Sequence, residues 1–167
     1  MLWKRNFSSP TLLDRAQFAK LNSSGELIVA GQLQNGKNDN LIVLKYNSIG
    51  TLMWSKTLDI SGGNDKINDM VTDKFGNIIL TGQSQKSTLS IDYESFTICL
   101  DNFGQQTWAK FIGFTGNGQD EGISVALDND NSIWVAGNID SDTTADVNLN
   151  VFLMHYDITG KNLLSAP

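Results

Sequence analysis

The sequence predicts an all-β chain built from three copies of one four-stranded antiparallel unit. Three observations predict it. An Asp and a Gly stand a constant 17 residues apart (31−14, 82−65, 137−120), as Asp14 and Gly31, Asp65 and Gly82, and Asp120 and Gly137. Tryptophan recurs at Trp3, Trp54 and Trp108, each followed two residues later by a base, Arg5, Lys56 and Lys110. Four-residue turns opened by Asn or Asp fall at matching places, and no stretch carries a sustained helical period.

Taken in order, residues 2–7 read as a short strand centred on Trp3. The first unit then offers strands at 16–21, 26–31 and 40–46, closed by the Trp54 strand at 53–56. The second offers 67–72, 77–82 and 95–100, closed by the Trp108 strand at 107–110. The third offers 123–127, 132–137 and 151–156, and its closing strand should fall at 162–165, where Leu164 stands in place of Trp. All are short and rich in Val, Ile, Leu and aromatics, as strands are. Turns 22–25, 73–76 and 128–131 join the first two strands of each unit, and 47–50, 101–104 and 157–160 join the last two. Their Asx openers can bond the backbone two residues on, and Gly, or Asn131 in the third unit, tolerates positive φ at the close. Hairpin turns make consecutive strands antiparallel neighbours.

The Trp spacings are 51 and 54 residues (54−3, 108−54). Four antiparallel strands in a repeat of that length predict a β-propeller blade. The chain is then one propeller segment over 1–167: a last-strand-like segment and loop at 1–13, and blades at 14–64, 65–119 and 120–167. Propellers close with about four to eight blades. Three blades form an open arc, which closes by oligomerisation, as a homo-dimer of three-blade chains, or belongs to a longer propeller that supplies the remaining blades.

Composition narrows the function classes. The formal charge of −6 argues against nucleic acid, which demands clustered Lys and Arg. The excess is local: from Gln119 onward eight acids face the single base Lys161, leaving ten acids and eleven bases before it. A solvated acidic face is the plain reading. Cys99 has no second cysteine to pair with and sits in an apolar run, as a small core residue does. No apolar run could span a bilayer. The N-terminus has charge but no apolar run after it, so no signal peptide is expected in this chain.

Residues 116–137, Gly-Asn-Gly-Gln-Asp-Glu-Gly-Ile-Ser-Val-Ala-Leu-Asp-Asn-Asp-Asn-Ser-Ile-Trp-Val-Ala-Gly, resemble the SBBP repeat, a bacterial β-propeller repeat family. So do residues 44–54, Leu-Lys-Tyr-Asn-Ser-Ile-Gly-Thr-Leu-Met-Trp, and their counterpart ending at Trp108. The resemblance covers nearly the whole chain, with departures at Asn131 and Leu164. It implies a bacterial, extracellular or cell-surface setting and a seven-bladed parent.

The loops at one end, 32–39, 83–94 and 138–150 beside 61–65 and 115–120, form the expected binding face. The ligand-binding candidates are Asp65, Asp120 and Glu121, with Trp134, whose equivalents are Ile28 and Ile79. Against this, Asp14, Asp65 and Asp120 recur in every unit, as residues that brace a loop by accepting backbone N–H bonds would. Asp140, Asp142 and Asp146 cluster oxygens as calcium sites do, but Ala145 stands where an EF-hand glycine belongs and Val151 where its last Glu belongs. A metal is therefore not expected, and no cofactor either. Residues 31–38 nearly fit a phosphate-binding loop, but Asn38 replaces Ser or Thr and a strand follows instead of a helix. His155 has no adjacent metal-ligating partner and reads as a peripheral strand residue. Trp3, Trp54 and Trp108 read as packing between blades.

The sequence thus points to a non-enzymatic binding or scaffold module with a glycan or protein ligand. The competing readings are part of a propeller glycan hydrolase or lyase using loop-face carboxylates, and a purely structural, self-assembling segment.

Overall fold

The computed structural model describes residues 3–7, 14–113, 118–140 and 149–164. Among them the chain forms three antiparallel sheets and no helix. The first sheet holds β1 (Asp14–Leu21), β2 (Leu27–Asn35), β3 (Asn38–Tyr46) and β4 (Leu52–Leu58). The second holds β5 (Asp65–Thr72), β6 (Ile78–Gln85), β7 (Tyr93–Leu100) and β8 (Gln106–Ile112). The third holds β9 (Glu121–Leu127), β10 (Ile133–Asp140) and β11 (Leu149–Tyr156). Strands follow chain order across each sheet, and no sheet closes on itself.

The sequence expectation of four strands in every unit holds for two sheets. In the third, the fourth strand is reduced to the bridge of Tyr156 with Asn162 and the bond from Leu163 N–H to the His155 carbonyl. Leu164 there lacks the indole that anchors the other closing strands. The expected strand at 2–7 also differs: residues 3–7 lie outside every sheet, because among the described residues no strand stands beside them. Their side chains still dock. Trp3 lies over Gly50 and near the Tyr46 ring, and Arg5 Nε donates to the Gly50 carbonyl at 2.8 Å.

That seat recurs. Trp54 lies over Gly104 and donates its indole N–H to the Asn102 carbonyl at 3.2 Å; Trp108 lies over Gly160 and donates to the Ile158 carbonyl at 3.0 Å. Each closing-strand indole therefore clamps the last turn of the following sheet. The turns take the expected form. The Oδ1 atoms of Asn22, Asp73, Asp101 and Asp157 each accept two backbone N–H bonds, two and four residues on. Asn131 has φ 71°, beside 73° for Gly25 and 83° for Gly76, so it does the glycine's work in the third unit.

Strands run further than the sequence suggested. β2 and β6 continue past their closing glycines through polar residues, and the expected loop at 32–39 shrinks to the hairpin turn at Gly36 and Lys37. Polar side chains hid that extension, because Gln32, Gln34 and Asn35 have no apolar alternation to betray a strand. The same hairpin replaces any phosphate cradle.

Neighbouring sheets pack face to face. Ile28, Ala30, Leu41 and Val43 of the first sheet meet Ile78, Leu80, Phe96 and Ile98 of the second. Ile79 and Cys99 on the second sheet's other face meet Val125, Ile133, Val135 and Tyr156 of the third. Cys99 is a core residue, and burial pushes its thiol pKa up.

One charge sits in this packing. Lys45 is 1% exposed, and its ammonium pairs with Glu26 Oε2 at 2.6 Å and reaches Asn102 on the second sheet. The Lys45 bond, with Asn22 second, holds the Glu26 carboxyl below its ordinary pKa. Glu26→Ala should cost about 2 kcal/mol, below the usual range for breaking a buried pair because Glu26 stays 18% exposed. Adding Lys45→Met should recover part of the loss in denaturant unfolding. Equal destabilisation in the single and double variants would show that the stranded ammonium is not the cause.

Candidate functional site

The loop end of the sheets holds three of the four candidate ligand residues, and two are sealed inside. Asp65 is fully buried: Oδ1 accepts from Ser84 Oγ at 2.6 Å and Oδ2 from Ile60 N–H at 3.0 Å. Desolvation pushes its pKa up to about 6; the Ser84 and Ile60 bonds oppose that, and the charge of Asp59 adds to it. Asp120, equally buried, accepts the Asp140 N–H at 2.6 Å. Both carboxylates tie the start of one unit's first strand to the loops around it. Neither is open to a solute.

Glu121 is more accessible. Its Oε2 accepts from Asn68 Nδ2 of the second sheet at 3.3 Å and its Oε1 from Asn138 Nδ2 at 3.4 Å. Asn68 is the extra residue of a bulge in β5, which turns its amide toward the third sheet, where it also meets the Gly122 carbonyl at 2.9 Å. Of the three calcium candidates, Asp140 is buried, and Asp142 and Asp146 lie outside the described residues. Among the described residues no group of three or more His, Cys, Asp or Glu side chains could hold a metal ion. No helix there is long and apolar enough to cross a membrane.

Trp134 brings together residues that the sequence left apart. Its indole stacks on the His155 ring with centroids 3.9 Å apart and planes 8° from parallel. His155 Nε2 lies 2.8 Å from Ser132 Oγ, and Ser132 also bonds Asp130, whose carboxyl that contact holds below its ordinary pKa. Ser, His and Asp in contact suggest nucleophilic catalysis, but the order of the contacts is not that of a triad. Asp130 Oδ1 accepts the Ser132 backbone N–H at 2.9 Å, so the carboxylate sits on the serine's side and is not placed behind the imidazole as the orienting group of a triad. Ser132 is also buried. The group is a fixed aromatic platform. Its signal was the register: Trp134 pairs with His155 as Ile28 pairs with Lys45 and Ile79 with Cys99.

His155 lies on β11, the edge strand of the third sheet, in keeping with a peripheral strand residue, and the register puts it on the face that Lys45 and Cys99 occupy in theirs. Lys45 and Cys99 are each 1% exposed, because the following sheet covers them. His155 sits on the same kind of face, with no following sheet upon it among the described residues. The same holds along β11, where Val151 is 83% and Leu153 53% exposed. Their counterparts Leu41, Ser95, Val43 and Thr97 are all buried.

At the opposite end of the arrangement, Trp3–Phe7 only partly covers the first sheet's other face. They leave a cavity of about 420 Å³ against Leu27, Val29, Ile42 and Leu44, with Arg5 and Arg15 at its wall. No protein-family model matches the chain, and no curated protein does.

Proposed function

We propose that the chain is a non-enzymatic β-propeller segment that serves as a binding or scaffold module, its three sheets being three blades. The observation that carries this is the recurrence of one contact. The forward face of a sheet meets the back face of the next, with the closing-strand indole clamped on the next sheet's last turn, first at Trp54 and again at Trp108. A constant step between four-stranded sheets is how a propeller grows around an axis. The likeness of residues 116–137 to SBBP repeats supports the same reading and with it an extracellular bacterial setting.

A non-enzymatic role is favoured because the repeated carboxylates serve the scaffold. Asp65 and Asp120 are spent on loop bracing, and Ser132 is buried with its hydroxyl engaged. Among the described residues Glu121, half-exposed between β5 and β10, is the accessible carboxylate of the binding-face candidates. An array of glycans and peptides tests the proposal: a ligand retained with its mass unchanged, and released by Glu121→Ala, is expected. A ligand cleaved on the array would overturn the non-enzymatic reading, and a blank array the binding role.

A further inference from the structure

We propose that the uncovered face of the third sheet seats on the back face of the first sheet of a second copy of this chain, and that two copies close on each other head to tail. This rests on the propeller reading above and names a partner for it.

Three observations converge. The first is continuity. The chain already makes this contact twice, between the first and second sheets and between the second and third. Among the described residues the third sheet's forward face and the first sheet's back face, which residues 3–7 cover only in part, are the two halves that no sheet meets. The second is shape. Trp134 stands where Ile28 and Ile79 stand, and Leu153 where Val43 and Thr97 stand, so this face carries more bulk than its siblings. The face it would meet has room for it, an open recess of about 420 Å³ against Leu27, Val29, Ile42 and Leu44, the counterparts of Ile78, Leu80, Phe96 and Ile98 that the first sheet covers.

The third is charge. Residues 1–64 hold seven bases and four acids, a net of +3, and residues 120–167 hold one base and eight acids, a net of −7. The first unit is thus basic and the third acidic, which favours a third sheet against the first sheet of another copy and disfavours third against third. Docked so, residues 5–7 of one copy fall along residues 151–153 of the next, on an edge of β11 that no strand pairs among the described residues. Two different faces meet at each junction, and two copies bring six sheets into a closed ring with twofold symmetry.

Light scattering behind size exclusion tests this on the whole chain. A mass of twice 18.3 kDa is expected at low salt, moving toward one copy as salt rises to about 0.5 M, where screening shrinks to a few ångströms. Val151→Asp with Leu153→Asp should give a single-copy mass. Both side chains are already exposed within one chain, so circular dichroism and melting of the separated copy should match those of wild type measured as a single copy. A single-copy mass for wild type at about 0.1 mM would overturn the proposal. So would a two-copy mass that survives the double variant, or open-ended polymers. A ligand on the array beside a monomer would leave the propeller module standing and remove only this contact.

Discussion

Gly82→Ala is expected to lower folding stability by about 3 kcal/mol, the upper part of the usual range for overpacking a dense interior. The repeated glycine is needed for room, since its φ is not positive. In β5 a bulge between Ile67 and Asp69 turns the Lys66 carbonyl toward Gly82, and a Cβ there would sit well inside contact with that oxygen. The obstacle is backbone on both sides, so no rotamer change relieves it. Gly31 meets the Arg15 carbonyl and Gly137 the Glu121 carbonyl in the same way. The 17-residue step from Asp to Gly therefore records a strand, a turn, and a return strand that passes under a bulge. Gly25→Ala is the comparison: φ is 73° with open space around it, so only the left-handed backbone is charged, about 1 kcal/mol. Thermal melts of the two variants check the difference, and equal losses would show that crowding at the bulge is not what selects glycine at position 82.

The repeats were legible because they are written in residues with one job each. Asx openers, turn glycines and clamping indoles all stand where their spacing put them. Strand ends were less legible: Gln83 and Asn138 pair as strand residues through backbone bonds that side-chain patterning cannot report. The candidate site was legible only as a set of residue types. Asp65 and Glu121 look alike in sequence, yet one is sealed under Ser84 and the other bridges two sheets through amides. Trp134 was singled out by its difference from Ile28 and Ile79, while its partners His155 and Ser132 needed the register of β10 on β11. The uncovered face is a property of sheet order, and no single strand states it.

Stability should rise as pH falls from about 7 to 4 through one group, Asp65. Its folded pKa of about 6 lies above the ordinary aspartate value of about 3.9, because burial penalises the carboxylate more than Ser84 and Ile60 support it. Between those two values the folded chain binds a proton that the unfolded chain does not. The contribution is therefore fully present below about pH 4 and is lost as pH rises through 6. Each tenfold gain in proton affinity is worth about 1.4 kcal/mol, so the swing is roughly 3 kcal/mol. Other carboxylates act in the opposite sense; Glu26, held low by Lys45, loses its support as pH falls below its ordinary range. Asp65→Asn isolates the effect. The amide cannot ionise and keeps one acceptor for Ser84 or Ile60, so the variant should be close to wild type in stability at pH 7 and less stable at pH 4. Denaturant midpoints of both proteins at whole pH steps should converge as pH rises, and parallel curves would show that Asp65 is not held protonated in the folded chain. The recurring aspartate would then brace its loop as an ordinary carboxylate. With convergence, the brace in the second unit is partly a neutral acid near pH 6, a state that only the full enclosure of Asp65 by the fold can produce.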